Sequence, residues 1–221
     1  MQAELRRVDQ LLELLDHAYP KAGTELQHRN CFELLIATIL SAQCTDERVN
    51  RVTPVLFRRY PTPRDLGQAK LKDVEGIVRA TGFYKAKARS VVGCSASIAE
   101  RFGGRIPRNL DELVDLPGVG RKTANVVLGN CFDTPAIVVD THVKRVSRRL
   151  GLSGHTDPGQ IESDLAKILP KPRWTEISHQ LLLHGRYTCK AKNPLCLQCP
   201  LHELCEAPEK FQALKRSARR I

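Results

Sequence analysis

The seven residues Leu116-Pro117-Gly118-Val119-Gly120-Arg121-Lys122, continued by Thr123 to Leu128, constrain this chain more than any other stretch. Pro117 fixes φ, while Gly118 and Gly120 admit backbone conformations closed to other residues, so a helix must stop near Leu116 and reverse through a tight turn. Ala124, Val127, Leu128 and Cys131 then recur at helical spacing, which predicts a second helix from about Arg121. The turn therefore aims backbone N–H groups, and Lys122, at whatever lies beyond that helix's start. Unpaired N–H groups and the positive end of the helix dipole make such a place a seat for a phosphate, and bare glycines let a sugar-phosphate backbone come close. A Gly-x-Gly alone suits an ordinary helix-turn-helix corner equally well.

The rest of the chain reads as almost entirely helical. Residues 4–18 place Leu5, Val8, Leu11, Leu12 and Leu15 on one stripe, which Pro20 ends. Cys31 to Leu40 carries a broad apolar face and changes character at Ser41-Ala42-Gln43-Cys44-Thr45-Asp46, where Thr45 or Asp46 is suited to cap the next helix. Helices over 70–80 and 84–102 follow, separated by Thr81-Gly82-Phe83-Tyr84, and Asn109 with Glu112 resembles a capping box leading into the central turn. Ala136 to Val139 is β-branched, yet no partner strand appears elsewhere, so a buried extended segment is expected. Asp140 then stands where an N-cap belongs, ahead of a helix with Val143, Val146 and Leu150 inward and Lys144, Arg145, Arg148 and Arg149 nearer the surface. Further helices are predicted at about 158–169 and 174–187. Residues 209–221 are a short helix or a basic tail.

Charge narrows the partner. With 35 Lys and Arg against 24 Asp and Glu, the net charge is +11 and the sequence pI is near 9.5. Residues 1–110 hold 18 basic and 12 acidic side chains and residues 111–221 hold 17 and 12, so the excess is not a mere tail. Such a balance suits a polyanion, nucleic acid before an anionic membrane. The N-terminus is already charged at Glu4, Arg6 and Arg7, and no apolar run is long enough to cross a membrane, so a cytoplasmic, nucleoid-associated protein is expected.

Cysteine spacing supplies the second strong signal. Cys189, Cys196, Cys199 and Cys205 bring four thiols within 17 residues, a set that can converge on one metal centre. Spacing alone leaves zinc and iron-sulfur both open, since four cysteines suit either. The other four, Cys31, Cys44, Cys94 and Cys131, lie on or near apolar faces and read as small hydrophobes.

The string from Leu116 to Lys122 resembles the helix-hairpin-helix of DNA repair glycosylases in the version that carries a catalytic lysine, and its continuation to Leu128 resembles the endonuclease III family in particular. The cysteine spacing is similar to the [4Fe-4S] loop that ends that family and its adenine-glycosylase relatives. The resemblance runs over residues 4–208 and implies an all-α, two-domain helix-hairpin-helix glycosylase fold with an iron-sulfur loop. A six-helix barrel-like domain would span 22–134, and 1–21 with 135–208 would form the cluster domain, leaving 209–221 as a basic tail. Lys122 would be the nucleophile and Asp140, in Val139-Asp140-Thr141-His142, the essential carboxylate, the two facing one another from different domains. Partial burial and the adjacent helix N-terminus would favour the neutral amine. Cys189, Cys196, Cys199 and Cys205 would hold a [4Fe-4S] cluster.

Chemistry at C1′ requires the damaged nucleotide to leave the stack, and something must fill the gap. By the same resemblance Gln43 fills it, and Phe83 stands where a wedge residue, usually leucine, meets the opposite strand. A core position beside a turn is the plainer alternative for Phe83. Pro117, Gly118, Val119, Gly120, Arg121 and His142 would also contact DNA, with Lys190 and Lys192 held against a phosphate by the cluster loop and Lys85 and Lys87 forming a basic rim. The expected partner is double-stranded DNA with oxidised pyrimidines or abasic sites, met by a monomer without any membrane. The leading function is a bifunctional glycosylase and AP lyase. A monofunctional glycosylase of the same fold and a non-catalytic DNA-binding or redox-sensing module are the alternatives.

Overall fold

Capping side chains decide where most of the helices begin. The computed structural model describes residues 2–205 and 207, and among them are eleven α-helices and no strand. They are α1 (Gln2–Ala18), α2 (Cys31–Leu40), α3 (Asp46–Arg59), α4 (Pro63–Gly67), α5 (Leu71–Val78), α6 (Tyr84–Arg101), α7 (Leu110–Val114), α8 (Arg121–Cys131), α9 (Thr141–Arg149), α10 (Pro158–Ile168) and α11 (Trp174–Tyr187). Asn30, Thr45, Thr62, Asn109, Asp140 and Asp157 each accept a first-turn N–H at the start of α2, α3, α4, α7, α9 and α10. Each of these caps satisfies donors that the helix cannot satisfy itself.

Contacts between residues divide the chain into two compact units, one of Thr24–Thr134 and the other of the residues up to Gly23 together with those from Pro135 on. In the first unit α2 is the hub, because every residue from Phe32 to Leu40 is buried. Leu34, Leu35, Ile36 and Leu40 are fully enclosed, each burial stabilising by roughly 1.5–3 kcal/mol. Even Glu33 is inside, its carboxylate accepting from Arg29 Nε and from the Arg29 backbone N–H, both at 2.8 Å. The helices α3, α6 and α8 pack around this hub, and α4 and α5 lie against α6.

The second unit centres on α9, α10 and α11 with α1 against α11. Val8, Leu11, Leu12 and Leu15 of α1 share a core with Val143, Val146, Ile161 and Leu181. The expected apolar stripe of α1 is therefore inward from Val8 to Leu15, and the 209–221 tail lies outside the described residues. Residues 136–139 belong to neither helix nor strand, and 136–138 are buried. Their donors go to side chains of α11, Ala136 N–H to Thr175 Oγ1 at 3.3 Å and Val138 N–H to Ser178 Oγ at 3.1 Å. Gly185 of α11 lets α9 approach closely, since a Cβ there would stand 2.8 Å from the His142 Cβ.

Candidate functional site

The turn between α7 and α8 forms for the reasons its sequence suggests. The Val119 N–H donates to the Leu116 carbonyl at 3.0 Å, with Pro117 and Gly118 between them and Gly118 at φ 77°. Proline at the second and a left-handed glycine at the third position are the chemistry of a type II turn. Gly118 is also forced by packing, because a Cβ there would lie 2.6 Å from the Cβ of Ser90 on α6. Val119 anchors the turn with a buried side chain, while Pro117, Gly118, Gly120, Arg121 and Lys122 are exposed.

The helix that follows starts differently from its neighbours. Gly120 is the N-cap of α8 and supplies no side-chain acceptor. First-turn donors are thus not met by a capping oxygen from that position, which is the arrangement an incoming phosphate can use. Lys122 is the second residue of this helix. It is exposed, so the expected partial burial of the amine does not hold: the apolar face of α8 begins only at Ala124, and the first turn projects beyond the core.

Two further exposed residues share an unusual backbone. Gln43 and Phe83 have φ of 51° and 48°, left-handed values that non-glycine residues adopt at a cost and that cluster at functional sites. Phe83 is 70% exposed, which excludes the core alternative for it. The expected basic rim is half right, because Lys85 is exposed whereas Lys87 is buried. Lys87 faces inward since its ammonium donates to the Thr81 carbonyl at 2.7 Å.

In the second unit Asp140 caps α9. Its Oδ1 accepts from the His142 and Val143 N–H groups, both at 2.8 Å, which fixes the carboxylate relative to the helix axis. His142 is half-buried, and its Nδ1 lies 3.2 Å from Arg145 Nη2. Arg145 and Arg149, read as surface residues, instead turn toward the cysteine loop. Arg145 Nε donates to the Cys189 carbonyl at 3.0 Å and its Nη2 to the Gly185 carbonyl at 2.7 Å. Arg149 Nη1 donates to the Cys189 Sγ at 3.4 Å and to the Lys190 carbonyl at 2.8 Å. The only hint of this in the sequence is their spacing of four, which puts both guanidinium groups on one helix face.

Cys189, Cys196, Cys199 and Cys205 line a single apolar cavity with His184, His202 and Pro194. Burial first, with the other three cysteines adding to it, pushes the Cys199 thiol up to about 11. Four thiolates in such a cavity need a metal centre to balance their charge. A lone zinc draws its sulfurs to ~2.3 Å from one centre, whereas a four-iron cluster takes one thiolate at each corner and keeps them apart. The donor set and the cavity fit the cluster. His184 Nε2 lies 3.7 Å from Cys199 Sγ, and the His184 Nδ1 meets the Tyr19 hydroxyl at 3.2 Å. Lys190 and Lys192 are exposed on the same loop.

No helix among the described residues is long and apolar enough to cross a membrane.

Residues 36–171 match the model of the HhH-GPD superfamily base excision DNA repair protein, and residues 189–205 match the iron-sulfur binding domain of endonuclease III. The endonuclease III of a Synechocystis species is 46% identical over 210 residues, covering 95% of this chain and 96% of that protein. Two solved structures have the same identity and a TM-score of 0.89: a non-covalent endonuclease III–DNA complex, covering 95% of this chain and 98% of that one, and a trapped endonuclease III–DNA covalent intermediate, covering 94% and 98%.

Proposed function

This chain belongs to the endonuclease III family within the HhH-GPD superfamily of base excision DNA repair proteins, and on that footing we propose that it removes oxidised pyrimidines from duplex DNA as a bifunctional glycosylase and AP lyase, with Lys122 as nucleophile and Asp140 as the carboxylate that serves it. The observation that carries the assignment to Lys122 is the start of α8: an amine at its second residue, exposed, directly after a type II turn whose helix has no side-chain cap. A DNA phosphate seated on those N–H groups brings the sugar to the amine.

The neutral Nζ of Lys122 attacks C1′ and the bond from C1′ to the base breaks, the base leaving with its electron pair and taking a proton. The nitrogen lone pair then forms a double bond to C1′ as the C1′–O4′ bond breaks, with a proton delivered to O4′, giving a protonated Schiff base between Nζ and C1′. Removal of a C2′ proton then expels the 3′ phosphate by β-elimination, and water releases the enzyme. Asp140 stabilises the positive charge that develops at C1′ and accepts protons. Because Lys122 is exposed, it is the bound DNA that excludes water from around its amine.

Gln43 and Phe83 fill and wedge the gap left by the extruded nucleotide. Pro117 to Arg121, His142, Lys190 and Lys192 make the remaining DNA contacts. Cys189, Cys196, Cys199 and Cys205 hold the [4Fe-4S] cluster, which supplies the covalent frame of the loop on which Lys190 and Lys192 sit. The two compact units correspond to a hairpin domain and a cluster domain in this reading, and the protein works as a monomer on the DNA of the nucleoid.

A duplex carrying one thymine glycol tests the assignment. The wild type is expected to release the base and cut the strand, and Lys122→Gln to bind the duplex without cutting it. Base release without strand cleavage by the wild type would instead indicate a monofunctional glycosylase, and binding without either would indicate a non-catalytic module.

A further inference from the structure

Lys87 is only 6% exposed although Lys85, two residues earlier, stands in solvent. Burying an ammonium is expensive unless strong hydrogen bonds offset the lost water. Its Nζ donates to the Thr81 carbonyl at 2.7 Å. That acceptor is itself fixed, because Thr81 is buried in a 3₁₀ turn (Arg79–Thr81) with its hydroxyl donating to the Val78 carbonyl at 2.8 Å. The Lys87 backbone N–H meanwhile takes the Phe83 carbonyl at 3.0 Å. One residue therefore grips the chain on both sides of Gly82 and Phe83.

Those two residues are the ones that need holding. Gly82 and Phe83 have successive positive φ values of 69° and 48°. For phenylalanine such a conformation is intrinsically unfavourable, since its Cβ crowds the following carbonyl oxygen. Phe83 gains little from its own side chain, which is 70% exposed and gives α6 no cap. Gln43, another exposed left-handed residue, precedes Cys44, and Cys44 is close enough for a thiolate there to favour the Lys87 ammonium against the larger, opposing effect of burial. The ammonium thus lies under the Thr81–Phe83 turn, with Cys44 near enough to act on its charge.

We propose that Lys87 is a positioning residue for nucleotide extrusion: by clasping the Thr81 carbonyl across the turn, its ammonium holds Phe83 in the left-handed conformation that projects the ring as a wedge. This rests on the reading of Phe83 as the wedge. Without the ammonium, Gly82 and Phe83 relax toward ordinary φ and the ring loses its stance.

The test compares single-turnover cleavage of thymine glycol in a matched duplex with cleavage of the same lesion in a mismatched bubble, where stacking is already lost. The quantity read is the ratio of the two rates, which a general loss of folded enzyme leaves unchanged. Phe83→Ala is expected to lower the ratio. Lys87→Met, which keeps chain length and apolar bulk, is expected to lower it about tenfold, the size of one lost charge-assisted hydrogen bond. The double variant should fall no further than Phe83→Ala alone. A wild-type ratio in Phe83→Ala sinks the wedge reading. A lowered ratio in Phe83→Ala with an unchanged one in Lys87→Met, or additive losses in the double variant, overturns the role of Lys87 while leaving the wedge intact. Should Lys87→Met show no cooperative melting, Lys87→Arg, which keeps a charged donor, takes its place: a wild-type ratio supports the proposal, and a ratio as low as that of Phe83→Ala overturns it.

Discussion

Replacing Asp140 by asparagine and by alanine separates two jobs that fall on one carboxylate. Oδ1 of Asp140 accepts two backbone N–H groups at 2.8 Å and so caps α9, whose Val143 and Val146 are part of the core. Asparagine caps helices about as well as aspartate, so Asp140→Asn keeps the acceptor and loses only the charge, costing about 0.3–1 kcal/mol through the helix dipole. Alanine removes the cap, at about 1–2 kcal/mol. In a chain of 221 residues each kcal/mol corresponds to roughly 2–4 °C in Tm. Thermal melting should therefore place Asp140→Ala roughly 2–8 °C below wild type and Asp140→Asn above the alanine variant, at most about 4 °C below wild type. Catalysis should not follow that order. If the charge stabilises the transition state, both variants lose on the order of 10²–10³ in the rate of base release. An asparagine variant that cleaves at nearly the wild-type rate would refute the electrostatic role, and one that melts as early as alanine would refute the cap.

Gly118→Ala should destabilise the protein by about 1–3 kcal/mol and weaken duplex binding together, because it combines a left-handed φ with a Cβ only 2.6 Å from that of Ser90; melting and a binding titration check both. Lys190→Gln with Lys192→Gln should weaken binding to any duplex and reduce the slope of log affinity against log salt by on the order of 2, as two lost phosphate contacts require, and an unchanged slope would place both lysines in solvent. Burial lowers the His179 imidazole from 6.5, so the unfolded chain takes up a proton there before the folded one does. Stability should accordingly fall as pH drops below about 6.5 toward the lower folded value, with a slope of up to about 1.4 kcal/mol per pH unit, and His179→Gln should flatten that part of a stability-against-pH profile.

The parts legible in the sequence were those governed by local chemistry. Helix starts at Thr45, Asn109 and Asp140 follow from side chains that can accept a first-turn N–H, and the hairpin follows from Pro117 and Gly118. The segment 136–139 has β-branched residues but no strand, as the absence of a partner implied; its donors find hydroxyls of Thr175 and Ser178, which periodicity could not reveal. What stayed hidden depends on contacts distant in sequence. Arg145 and Arg149 carry the charge of surface residues, yet acceptors on the loop after α11, some 40 residues later, draw them in. Lys87 looked like part of a rim because nothing local announces that the Thr81 carbonyl will point inward. Lys122 differs in the opposite sense, because its place at a helix start suggests partial burial whereas the first turn of α8 leaves it outside. The exposure of Phe83, undecided by composition, was settled by a left-handed turn that only the backbone shows.

The most direct measurement is to find which amine becomes bonded to the sugar. Wild-type enzyme is mixed with a thymine glycol duplex in the presence of borohydride, the reduced adduct is digested, and the modified peptide is sequenced by mass spectrometry. The deoxyribose-derived mass is expected on Lys122, with no adduct from Lys122→Gln. A wild-type adduct on Lys190, Lys192 or any other amine, or full trapping by the variant, would contradict it.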